Sequence, residues 1–86
     1  MRKLKQVEVV THTFKHGSDV YLYDSRKKAE AKALRLMEAR VPSWFASAAE
    51  KFNLMSDFAT KFHFFHEIES NISEGGRIKI VRKYVE

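Results

Sequence analysis

The 86-residue sequence contains no cysteine, a single proline, only three glycines and no stretch of eighteen apolar residues that could cross a bilayer. Without cysteine there is no disulfide framework and no thiolate metal site. Stability must then come from packing, as suits a reducing cytoplasm. The basic start MRKLKQVEVV is not followed by the apolar run of a signal peptide, so secretion and membrane spanning are disfavoured and a cytoplasmic location is expected. There are no internal repeats and no low-complexity linker. A chain of this size closes one hydrophobic core, and residues 1–86 read as a single domain.

What is present is apolar mass and positive charge. Hydrophobic residues make up 44% of the chain, and seven Phe, three Tyr and one Trp supply large side chains for a core. The formal net charge is +5, unevenly spread: both ends are basic, while residues 41–76 are acidic, with two Lys/Arg against five Asp/Glu. Ends that met in one sheet would combine into a surface attractive to phosphate or to an acidic protein.

Residues 7–14 and 20–23 are rich in β-branched and aromatic side chains, and Lys15-His16-Gly17-Ser18 between them predicts a hairpin turn. Val20 and Leu22 are expected to face the core, leaving Tyr21 and Tyr23 outside. Asp24 or Ser25 caps a helix over RKKAEAKALRLMEAR, with Ala29, Ala33, Leu36 and Met37 on one face and the basic stripe Lys28, Lys32, Arg35 on another. Val41-Pro42 interrupts that helix, and Ser43 is read as the cap of a short second one carrying Phe45, Ala48, Ala49 and Phe52. In SDFATKFHFFHEIESNI, FHFFHEI could pass for an alternating strand, but the helical count is better. Phe58, Phe62, Phe65, Ile68 and Ile72 share an arc, so residues 57–72 are predicted helical, with Ser56 as the cap. Gly75-Gly76 makes a turn before a last strand, RIKIVRKYV.

The order ββαααβ predicts an α+β fold: a three-stranded antiparallel sheet with its helices on one face. Strand order 2-1-3 would gather Lys3, Lys5, Lys79 and Lys83 in one neighbourhood, with Tyr21 and Tyr23 on the open face of the sheet.

No pattern for catalysis emerges. The string His63-Phe64-Phe65-His66-Glu67 lacks the i, i+4 histidine pair of a zinc helix, and His12 and His16 have no cysteine to complete a site. Asp19, Asp24 and His16 near the hairpin read as a polar turn, and Gly75-Gly76 lacks the lysine and helix of a phosphate loop. The expectation is a protein with no enzymatic activity, no metal and no cofactor. Arg26, Lys27, Lys28, Lys32 and Arg35 are the candidate contacts to a phosphate backbone or acidic patch, joined by Lys79 and Lys83, while Tyr21 and Tyr23 offer faces on which bases could stack. Trp44 and Phe45 stand at a helix start where both cannot face one core. Trp44 is the candidate interface anchor.

The hairpin HTFKHGSDVYLYDS followed by the helix KKAEAKALRLMEAR resembles, in layout, size and charge over about residues 7–40, the small accessory proteins of T-even-type tailed bacteriophages. That group includes inhibitors of host defence toxins, among them inhibitors of toxin–antitoxin endoribonucleases that also engage RNA. The resemblance implies a small anti-defence inhibitor whose partner in the host cytoplasm is a protein such as a toxin ribonuclease, together with RNA. The alternative is a general RNA-binding module.

Overall fold

A computed structural model describes residues 5–72 and 75–85. The chain forms β1 (Lys5–Phe14), β2 (Gly17–Tyr23), α1 (Arg26–Arg40), a 3-10 turn (Val41–Ser43), α2 (Ala46–Leu54), α3 (Phe58–Glu69) and β3 (Arg77–Val85). The sheet is antiparallel throughout, in the order β2-β1-β3, giving an α+β fold of element order ββαααβ. Lys3 lies outside the described residues.

Two residues, Lys15 and His16, turn the hairpin, and Gly17 follows at φ +154°, a conformation that side-chain-bearing residues rarely adopt. This turn pairs even residues of β1 with odd residues of β2. Val10, with no solvent exposure, lies opposite Tyr21, and Glu8 lies opposite Tyr23. Residues directly opposite share a sheet face. Tyr21 and Tyr23 therefore point to the helices, where they pack half-buried against the core, whereas Val20 and Leu22 are 58% and 67% exposed on the other face. The expectation for these four residues is thus reversed.

Ser25 caps α1: its side chain accepts from the Lys28 N–H at 3.2 Å, while Asp24 pairs with the Lys28 ammonium at 3.0 Å. Ala29, Ala33 and Met37 are fully buried against the sheet. The two alanines let the helix approach closely, and the tyrosine rings fill the space at its flank. After Pro42, Ser43 does not cap α2. Its hydroxyl donates to the Arg40 carbonyl at 2.7 Å, closing α1, and α2 starts after Phe45 with no side-chain cap. α3 is capped by Asp57, not Ser56; the Asp57 carboxylate accepts from the Thr60 N–H and hydroxyl, both at 2.9 Å.

α3 is helical through Phe58–Glu69, so FHFFHEI is not a strand, and three residues of the expected helix, 70–72, form turns instead. Its buried side is Phe64, Phe65 and Glu69, with Phe58, Phe62, Ile68 and Ile72 half-buried around it. The core draws on every layer: Val10 and Ile78 from the sheet, the α1 face, Val41, Trp44, Phe52, Phe64 and Phe65. Trp44 sits at its centre, 8% exposed, with ring centroids 5.7–6.1 Å from Phe52, Phe64 and Phe65. It is Phe45, 87% exposed, that points to solvent, so Trp44 is a core residue and not an interface anchor.

Candidate functional site

The outer face of the sheet, away from the helices, is assembled by strand register. Leu22, Val9 and Val81 form one row across the three strands, Val20, Thr11 and Lys79 the next, and Ser18, Thr13 and Arg77 the third. Val7 lies opposite Lys83, and Lys5 opposite Val85, beyond the end of β2. This face is an aliphatic strip bordered by Lys5, Arg77, Lys79 and Lys83. Among the described residues of the three strands, none of its side chains is acidic. Val81 and Val85 are 45% and 47% exposed, adding to the uncovered surface of Val20 and Leu22. A contiguous uncovered apolar surface ringed by charge is characteristic of a binding site.

The α1 cations lie on the opposite side of the sheet and are partly neutralised. The Arg26 guanidinium is 3.3 Å from Glu30 and 3.7 Å from Glu8, and Lys28 is held by Asp24. Lys32 places its ammonium 4.3 Å from the centroid of the Tyr21 ring. Lys27 and Arg35 are exposed. The structure thus separates the expected binding residues into two areas, and it joins Tyr21 to Lys32 and not to Lys79 and Lys83. A base-stacking platform of Tyr21 and Tyr23 on the outer face does not form.

Two buried carboxylates went unnoticed in the sequence. Glu69, 2% exposed, accepts from Arg40 Nε at 2.7 Å, Trp44 Nε1 at 3.1 Å and the Gly76 N–H at 3.2 Å. It ties the end of α1, the loop before α2 and the start of β3 to α3. Gly75 is required there because a Cβ would lie 2.0 Å from the Glu69 carbonyl oxygen. Glu8, with no exposure, accepts from Arg82 Nε at 2.8 Å and Gln6 Nε2 at 3.1 Å, and its second oxygen faces Arg26 without a hydrogen bond. The Arg82 hydrogen bond holds the Glu8 carboxyl below its ordinary range against the opposing effect of burial. Both arginines over it are about half exposed, so water lies one side chain away. The only sequence signal for either carboxylate is its place among apolar neighbours on an inward-facing position.

His66 is fixed as the Nδ1–H tautomer: Nδ1 donates to the Phe62 carbonyl at 2.8 Å and Nε2 accepts from the Ile78 N–H at 3.0 Å. Burial pushes His12 below its ordinary value, opposed chiefly by Asp19 across the hairpin. A cleft of about 500 Å³ between α3 and β3 is lined by Phe62, His66, Glu69, Gly76 and Ile78. Of its lining groups, the His66 ring nitrogens, the Glu69 carboxylate and the Gly76 N–H are engaged in hydrogen bonds within the fold. Among the described residues no three His, Cys, Asp or Glu converge as a metal site, and no helix is long and apolar enough to cross a membrane. Comparison with protein-family models, with curated proteins and with solved structures finds no match.

Proposed function

We propose that this chain is a non-enzymatic binding protein that recognises an acidic surface of another protein through the outer face of its sheet. The observation that carries this reading is the strip Val9, Val20, Leu22 and Val81 bordered by Arg77, Lys79 and Lys83, opposite the face that packs on the helices. Aliphatic side chains gain from being covered by another apolar surface, which a phosphate backbone does not supply, and the surrounding cations favour an acidic rim on the partner. The phage resemblance puts this partner among host defence proteins such as a toxin endoribonuclease. A groove that holds RNA is itself basic and would repel the lysines. Inhibition would therefore proceed from an acidic surface beside it.

A second reading, RNA contact, is favoured by the exposed Arg35 in line with Lys32 on α1, with Lys27 exposed near the helix start. With both tyrosines turned to the helices, such binding would be mainly to phosphate and steeply salt-dependent. A pull-down from host lysate, with and without nuclease, distinguishes the two. The first reading expects a nuclease-resistant protein that is retained by the parent but lost by Lys79→Glu/Lys83→Glu. Nuclease-sensitive capture that depends on the α1 cations would replace it with the second.

A further inference from the structure

In antiparallel pairing, alternate residues of an edge strand turn their N–H and C=O away from the sheet. The His66 contact fixes which residues these are. Because the Ile78 N–H donates to His66, the even residues of β3 turn outward and its odd residues bond β1. Central β1 then bonds β3 through odd residues and β2 through even ones, which makes Phe14 and Gly17 the bonded pair that closes the two-residue turn. In β2, Gly17, Asp19, Tyr21 and Tyr23 accordingly bond β1. Ser18, Val20 and Leu22 direct their backbone groups away from it.

The two edges are guarded differently. β3 carries Arg77, Lys79, Arg82 and Lys83, and its Ile78 N–H is occupied by His66. β2, GSDVYLY, has no proline, lysine or arginine, and its register runs unbroken from Gly17 to Tyr23 with Val20 and Leu22 exposed. Proline, lysine and bulges are the usual protections of an edge strand, and β2 has none of them. α1 runs back across the sheet, mostly over β1, with its basic stripe on the side of β2. Lys28 stands at Asp24 just beyond the strand, Lys32 lies over Tyr21, and Arg35 falls one turn further on the same helical stripe.

The geometry points to β2 as the acceptor of an added strand: an extended segment of another protein in which apolar and acidic side chains alternate. One side of such a segment would lie flush with Val20 and Leu22 and continue the outer strip. The other would face Lys32 and Arg35, the one acidic side chain on that side of β2 being Asp19, opposite His12. Main-chain hydrogen bonds to Ser18, Val20 and Leu22 would supply affinity, and the alternation would supply specificity. A second copy is the poorer occupant, because β2 paired with β2 across a two-fold axis brings two stripes of Lys32 and Arg35 together. The inference rests on the protein-binding reading above and adds the partner's conformation.

The probe is a synthetic heptapeptide alternating Glu and Val, compared with its Lys-for-Glu counterpart. Titration into the isotopically labelled protein should shift the Ser18, Val20 and Leu22 amides and slow their hydrogen exchange, with the lysine peptide at least about tenfold weaker. Val20→Pro removes only an outward N–H, so the ladder to β1 survives while peptide affinity falls about tenfold or more. Leu22→Lys, at an exposed position, is the variant that stays folded if the proline disturbs the strand, and should weaken binding similarly. Glu50→Gln, exposed on α2 and outside both surfaces, should change peptide affinity less than about threefold. Unprotected β2 amides, or unchanged affinity in Leu22→Lys, overturns strand addition. Loss of the lysate partner in Lys79→Glu/Lys83→Glu alone would, in that event, leave the outer-face reading standing.

Discussion

Glu69 is a side chain on which three parts of the chain converge: the end of α1, the loop before α2 and the approach to β3. Its replacement by Ala leaves the Trp44 indole N–H and the Gly76 N–H buried without acceptors and Arg40 without its partner. A loss of about 2–3 kcal/mol is expected in urea unfolding, less than for a fully buried pair because Arg40 is partly exposed. His12 sets a separate pH dependence. Its folded-state affinity for protons lies below the ordinary value of 6.5, so the unfolded chain binds more protons in the window just below that value. Stability should be fully present above pH 6.5 and decline as the pH falls through the window, and His12→Gln should flatten this limb in melts taken at stepped pH. Glu8, Asp24 and Asp57 act lower on the scale. Their folded values are depressed from 4.5, 3.8 and 3.8, so what they contribute is present above those values and lost as the pH falls through the depressed ones.

At the scale of elements, the boundaries of α1 and β3 were legible because capping and breaking residues stand at their ends: Ser25 before α1, Pro42 after it, and Gly75-Gly76 before β3. The faces of β2 were not. Hydropathy ranks Val20 and Leu22 above tyrosine, yet the parity of the turn, together with the burial of Val10, sends the tyrosines inward. Two aromatic rings packed against the edge of the core, with Lys32 over one of them, accommodate what a residue scale could not foresee. Tyr21→Ala should therefore destabilise by about 2–3 kcal/mol, whereas Leu22→Ser should stay within about 0.5 kcal/mol, measured by chemical denaturation. The helix caps give a similar contrast. Asp57→Ala removes the acceptor for two donors and should cost about 1 kcal/mol, while Ser56→Ala should be near neutral.

For the whole molecule, the sequence placed positive charge at both ends of the chain and the sheet order brought Lys5, Lys79 and Lys83 onto a shared face, as the strand order 2-1-3 implied. It did not disclose that the α1 stripe belongs to the other side of the sheet, because which face a helix covers depends on a register that only the closed hairpin defines. The separation has a measurable consequence. On the RNA-contact reading, Lys28→Ala/Lys32→Ala/Arg35→Ala should reduce the salt slope of binding to single-stranded RNA by roughly 0.7 of a unit per lost phosphate contact, while the fold melts as the parent does apart from the small loss of the Lys28–Asp24 and Lys32–Tyr21 contacts. Lys79→Glu/Lys83→Glu should leave that slope less affected and abolish capture of the protein partner.

The indole of Trp44 is the sole tryptophan of the chain, and its N–H shares the Glu69 carboxylate with the N–H of Gly76, the residue just before β3. Its fluorescence is therefore a built-in optical gauge of whether the last strand is docked. In the native protein the emission should be blue-shifted by its aromatic surroundings. An intermediate holding the hairpin and α1 but lacking β3 would shift to the red before helical circular dichroism is lost, and stopped-flow refolding followed at both signals would resolve it as a late change in emission with little change in ellipticity.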